Sequence, residues 1–189
     1  MTARLPNLDA EPQYGPVDRA VHWLVAALAV IVVSLGWAII AAPRNTPQRE
    51  LLLLLHRSVG LVIFAAMLFR TAWRSHHPAP PLPFGVGRLQ RALARGTHTV
   101  LYLLFIGMPI AGYVNAATAG HPVSIFGALT VPALLPRNYR LSQIAIAFHL
   151  AGQYLIYFFV GLHVAGALLH GIIRRDGVLQ RMLPLRRSA

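Results

Sequence analysis

The chain has 189 residues, 56% of them hydrophobic and 12% charged, with a formal net charge of +12 and no cysteine. So apolar a composition leaves a water-soluble globule too little polar surface to cover its core, and points to a protein dissolved in lipid. The missing thiols exclude disulfides, iron–sulfur ligation and covalent c-type haem attachment, so any chemistry rests on nitrogen and oxygen.

Taken in chain order, a polar leader (1–18) with Pro6, Pro12 and Pro16 precedes the first apolar segment, 20–42, for which Asp18 is the expected N-cap. No small-residue cleavage site follows before Pro43, so this segment is expected to be retained rather than removed as a signal peptide. Further segments long enough to cross about 30 Å of hydrocarbon cover 51–73, 97–117 and 142–173. The link 43–50 is short, which predicts antiparallel neighbours for the first two helices. The next link begins as a proline-rich extended run and ends in a basic amphipathic stretch suited to lying on headgroups. Pro109 predicts a kink in the third helix. The apolar loop between the third and fourth helices is expected to fold back over the bundle.

This order predicts an all-α integral membrane protein, a four-transmembrane-helix bundle, with a cytoplasmic leader (1–18), a bundle domain (19–175) and a basic cytoplasmic tail (176–189). Every basic residue is arginine, and with the N-terminus inside, twelve of the seventeen fall on the cytoplasmic side. The positive-inside rule therefore predicts both termini in the cytoplasm. Topology and anionic lipid account for the charge, and nucleic acid is excluded as a partner.

Histidine is the residue that calls for explanation. His22, His56, His98, His149, His163 and His170 lie in or near the spans, where an ionisable group is expensive and marks function. His149 and His163, fourteen residues apart, differ by roughly 40° around one helix and ~21 Å along it. They share a face at two depths, too far apart for one metal ion. Helix direction places His56 at the depth of His149 and His22 at the depth of His163. Two facing imidazoles at one level suit the axial positions of a haem iron, with Gly36, Gly60, Gly152, Gly161 and Gly166 available either to make room or for ordinary helix packing. Metal ligation is thus expected of His22 with His163 and His56 with His149. His98 and His170 have no evident partner at their depth, and His76, His77 and His121 belong to loops. Arg57 and Arg70 either pair haem propionates or snorkel to lipid phosphate. A histidine-lined zinc or proton transporter would need acidic groups within the spans, and there are none.

The segments "RAVHWLVAALAV", "LLLLHRSVGLVIFAAMLFR", "GTHTVLYLLFIGMPIAGYV", "FGALTVP" and "FHLAGQYLIYFFVGLHVAGALLH" resemble the bacterial cytochrome b561 family over nearly the whole chain. The resemblance implies two non-covalent b-type haems between the helices, the inner held by His22 and His163 and the outer by His56 and His149. It implies transmembrane electron transfer, for stand-alone members from superoxide at the periplasmic face to membrane quinone. The same plan is similar to cytochrome b subunits of hydrogenases and formate dehydrogenases, which leaves open a relay subunit of a larger complex or of a periplasmic redox protein. Lipid and quinone are the expected partners, and a homodimer is compatible with all of this.

Overall fold

The computed structural model describes residues 13–81 and 86–183. The remainder of the expected leader (1–12) and tail (184–189) lies outside the described residues. The elements run α1 (Pro16–Ala41), α2 (Pro47–His76), α3 (Arg88–Ala119), β1 (Val123–Ile125), β2 (Leu129–Val131) and α4 (Tyr139–Leu168). A π-helical turn, Leu169–Arg174, extends α4, and a 3-10 turn covers Gln180–Met182. All four long helices are long and apolar enough to span a membrane.

Local chemistry sets the boundaries. Thr46 caps α2 by accepting the Arg49 N–H, ahead of Pro47, and Asn138 caps α4 by accepting the Leu141 N–H. Gly120 ends α3 at φ 83°, with the Arg137 guanidinium lying where a Cβ would stand. Large apolar side chains such as Val30, Leu103, Phe148 and Phe158 are exposed around the outside, where lipid receives them. The packed centre is Val25, Val59, Ile63 and Met67, joined by Tyr102 and Phe105 from α3.

Two expectations change. Asp18 is not the N-cap of α1; Gly15 holds that place, and Asp18 sits inside the first turn, buried. The basic stretch before the third span forms the first turns of α3, which begins nine residues before the expected edge. Past α4, Trp23 donates its indole N–H to the Met182 carbonyl (2.8 Å), and Arg181 donates to the Pro81 carbonyl (2.6 Å). These contacts bring the start of α1 and the chain after α4 to one end of the bundle, called here the terminal end; β1 and β2 mark the hairpin end.

Asp18 ties the terminal end together. Its carboxylate accepts from Arg74 at 3.1 Å and its backbone carbonyl from Arg70 at 3.0 Å, joining α1 to the last turns of α2. With Asp18 only 6% exposed, Asp18→Ala leaves Arg74 uncompensated in a largely buried place. A loss of about 3 kcal/mol is expected, the low end for breaking a buried pair, read as a lower thermal midpoint in detergent.

At the hairpin end the apolar loop folds back onto α2, as expected. Its turn puts Phe126 (φ 50°) and Gly127 (φ 74°) in the left-handed region, the geometry of a tight hairpin. Ser58, fully buried, pins it by accepting the Phe126 N–H at 2.7 Å, with the Leu54 and Ser124 carbonyls in reach of its own hydroxyl. Ser58→Ala leaves that N–H unpaired, and a cost of about 1–3 kcal/mol is expected in the same thermal measurement.

Candidate functional site

The bundle brings the histidines together in two groups. Near the hairpin end, His56 of α2 faces His149 of α4, ring centres 6.0 Å apart and planes at 72°. Near the terminal end, His22 of α1 faces His163 of α4, also at 6.0 Å, with planes at 69°. Both pairs join the residues that helix direction had matched by depth.

The hairpin-end pair is anchored by backbone. His56 Nδ1 lies 3.0 Å from the Val32 carbonyl of α1, and His149 Nδ1 lies 3.0 Å from the Met108 carbonyl of α3. A carbonyl only accepts, so each Nδ1 carries the proton and each Nε2 keeps its lone pair for a ligand. Two glycines face the rings at ordinary contact distance: a Cβ at Gly36 would stand 3.6 Å from the His56 ring, and one at Gly112 3.4 Å from the His149 ring. Between the rings lies a cavity walled by Gly36, Gly60, Phe105, Met108 and Tyr157. Of the other glycines, Gly152 lets α4 approach the Met108 side chain, whereas Gly161 and Gly166 meet nothing. Gly112 was missed because its neighbour, His149, belongs to another helix, which no local pattern records.

The terminal-end group holds a third imidazole. His98 of α3 sits with its ring centre 5.1 Å from that of His163 and its Nδ1 2.7 Å from the Ala94 carbonyl. The expectation that His98 lacked a partner is thereby corrected. Because α3 starts at Arg88, His98 lies ten residues inside the helix rather than at its edge. His22 packs edge-on against Trp23 (5.3 Å), and among the described residues no carbonyl anchor like those of the other pair holds His22 or His163. The Arg70 charge acts on all three rings, while its guanidinium is held by the Tyr102 hydroxyl (2.9 Å) and the Asp18 carbonyl.

Arg57 is half-buried and makes no hydrogen bond or ion pair among the described residues. Arg49 is committed to the Ile39 and Ala42 carbonyls at the end of α1. His170 bonds Asp176 at 2.5 Å, His77 stacks on Trp73, and His76 and His121 are exposed. Tyr154 and Phe158 are exposed on the outside, and Tyr157, stacked on Trp37, reaches the cavity.

Haem b is the group these residues were expected to hold. Imidazoles on opposite sides of one metal, each at a bond length of about 2 Å, have ring centres roughly 6 Å apart. Both pairs meet that spacing, and the hairpin-end pair adds an apolar slot and free Nε2 lone pairs, so the residues fit the group. Among the described residues no group of three or more metal-ligating side chains, the three terminal-end imidazoles included, is arranged to hold a bare metal ion.

Comparison with known proteins gives the lineage. The sequence model of the prokaryotic cytochrome b561 family matches residues 13–185. The chain is 32% identical over 180 residues to the probable superoxide oxidase CybB of Yersinia pestis, covering 93% of this chain and 98% of that protein. It is 31% identical over 172 residues to cytochrome b561 homolog 2 of Escherichia coli K12, covering 90% and 91%. Cytochrome b561 homolog 1 of the same strain is 24% identical over 179 residues, covering 93% and 99%. With four membrane-spanning helices and a family match over nearly its full length, this multi-pass inner-membrane chain belongs to the prokaryotic cytochrome b561 family of b-type, electron-transferring membrane cytochromes.

Proposed function

We propose that the protein carries electrons across the inner membrane from superoxide on the periplasmic side to membrane quinone. It does so with two haem b groups, one held by His56 and His149 near the outer face, the other by His22 and His163 near the inner face. The observation that carries this reading is the repetition of one geometry, paired imidazoles 6.0 Å apart, at two levels of the same α4 face. The name of the Yersinia pestis relative supports the donor, and the arginine bias supports an orientation with both termini in the cytoplasm.

The four histidines would hold the haem b groups, which would supply one-electron carriage there. The chain's own residues do the rest. The Val32 and Met108 carbonyls hold the outer imidazoles in one tautomer and one orientation, which also raises their basicity as ligands. Arg57, half-buried beside His56, and Arg70, near the inner rings, would receive the propionates. Arg57, Arg137 and Arg140 give the outer face a positive potential that draws in an anionic donor. Each superoxide loses one electron and leaves as dioxygen; a quinone takes two electrons and two protons to become quinol.

Rapid mixing of superoxide with the purified protein tests this. Formation of one quinol per two superoxide consumed, dependent on added decylubiquinone and slowed by salt through screening of the outer arginines, is expected. Superoxide loss without quinol would refute the proposal. Electrons arriving instead from a stoichiometrically co-purifying polypeptide would replace it with the relay-subunit reading.

A further inference from the structure

The hairpin between α3 and α4 reaches far down the side of the bundle. His56 Nδ1 lies against the Val32 carbonyl, and α1 runs on nine residues to Ala41, so its end stands about 13 Å beyond the hairpin-end imidazoles. His149 lies against the Met108 carbonyl, and α3 runs on eleven residues to Ala119, about 16 Å beyond them. The hairpin does not stay at those ends. Ser58, two residues past His56 on α2, accepts the Phe126 N–H, which brings the turn down to the level of the imidazoles. Tyr113, six residues or about 9 Å short of the end of α3, holds Pro132 and Leu134.

That level is inside the hydrocarbon. Residues 20–42 of the first span include no Asp, Glu, Lys or Arg and make about 34 Å of helix, against a hydrocarbon core of about 30 Å, so the end of α1 marks the boundary. The arginines agree. Arg49 bonds the Ile39 and Ala42 carbonyls, and Arg137 lies against Gly120 at the end of α3, the headgroup level at which arginine is at home. Arg57 stands deeper, and it is half-buried.

The hairpin has the chemistry of a segment in lipid. Residues 122–136 include no charged side chain, and Phe126, Leu129 and Leu134 are 53%, 62% and 75% exposed. A bilayer core has no water for free N–H and C=O groups, so non-helical backbone at that depth needs partners from the protein. Within the hairpin, Val123 pairs with Val131 and Ile125 with Leu129. At its margins two helix hydroxyls stand where water would. Ser58 takes the Phe126 N–H at 2.7 Å, with the Ser124 carbonyl 3.2 Å away; Tyr113 donates to the Pro132 carbonyl at 2.6 Å and accepts the Leu134 N–H at 2.9 Å. Pro132 brings no N–H to satisfy.

We propose that this hairpin is a re-entrant membrane element, packed on α2 and α3 with its tip, 126–129, among the acyl chains of the leaflet at the hairpin end. A water-borne partner would have to pass the headgroups to reach that tip. Acyl chains are already at its level.

Photolabelling of the wild-type, haem-loaded protein tests this in phosphatidylcholine nanodiscs doped with a phosphatidylcholine that carries a diazirine midway along one acyl chain. Lipid adducts mapped by mass spectrometry are expected within 126–134, and none within 43–46. Because the chain has no cysteine, a single introduced thiol gives a second reading. Apolar surroundings keep a thiol from ionising, so Leu129→Cys is expected to react with a sulfonated maleimide at least about 10-fold more slowly than Arg44→Cys, at equal haem content. A thiol at 129 that reacts as fast as the one at 44 overturns the proposal and puts the hairpin in water. Adducts absent from 126–134 while that thiol stays protected overturn it too, and put a second copy of the chain in the place of lipid.

Discussion

Replacing His149 by alanine is expected to lower the haem content from two per chain to one, measured as the pyridine haemochrome of protein purified from haem-replete cells. His56→Ala should lose the same haem, identified by its redox potential, and the double variant should lose no more than either single one. Its partner in the fold is across the bundle, so the coupling follows the 6.0 Å ring pair and not the sequence. His22→Ala and His163→Ala should remove the other haem in the same way. A ligand is lost here, not packing, because an imidazole–iron bond has no apolar substitute. Added imidazole is therefore expected to restore part of the haem to His149→Ala, filling the space the side chain leaves. Wild-type protein with one haem, or with two that survive all four substitutions, would overturn the paired assignment.

The second large effect is expected from a residue that ligates nothing. Gly60 lines the hairpin-end cavity, and a Cβ built there meets no atom within 4 Å, so a larger side chain grows into the space between the rings. Gly60→Phe should exclude the haem held by His56 and His149 while leaving the other, again a fall from two to one. Gly60→Ala should keep both haems and raise thermal stability, by up to about 1 kcal/mol from helix propensity alone. A graded loss through Ala, Leu and Phe at constant histidine content shows that cavity volume is what matters. Retention of both haems in Gly60→Phe would mean that the macrocycle does not lie where the cavity is. Gly36 is a poorer place for this test, because a side chain there presses directly on the His56 ring.

Much of this arrangement was legible in the residues. The four spans needed only length and hydropathy, and the pairing of histidines by depth needed only the alternation of helix direction. The fourteen-residue interval on α4 sets a common face by helix geometry, and the described bundle keeps it. The errors fall where a tertiary partner overrides a local signal. Asp18 has the chemistry of an N-cap, yet Arg74, 56 residues away, holds its carboxylate inside the first turn. His98 looked interfacial because hydropathy alone starts the third span late; basic residues at the beginning of α3 are helical all the same, with Arg91 and Arg174 reaching the Val86 carbonyl and Gln90. The tail is held too, through its Met182 and Leu183 carbonyls, by Trp23 and Arg19 of α1, contacts no local pattern records.

The sequence by itself determined that the chain spans a membrane four times, which of His22, His56, His149 and His163 share a depth, and that thiol chemistry is absent. These properties are carried by composition, helical period and alternation, all of which are local or additive along the chain. Only the tertiary structure decided which nitrogen of His56 and His149 is free, because the carbonyls that fix it belong to α1 and α3. It alone placed His98 against His163 and Ser58 under the hairpin. Each of these is a meeting of side chains with partners at least 24 residues away, set by how the four helices pack and turn about their axes, and rotation about an axis is what the pattern of a single lipid-exposed helix leaves undetermined.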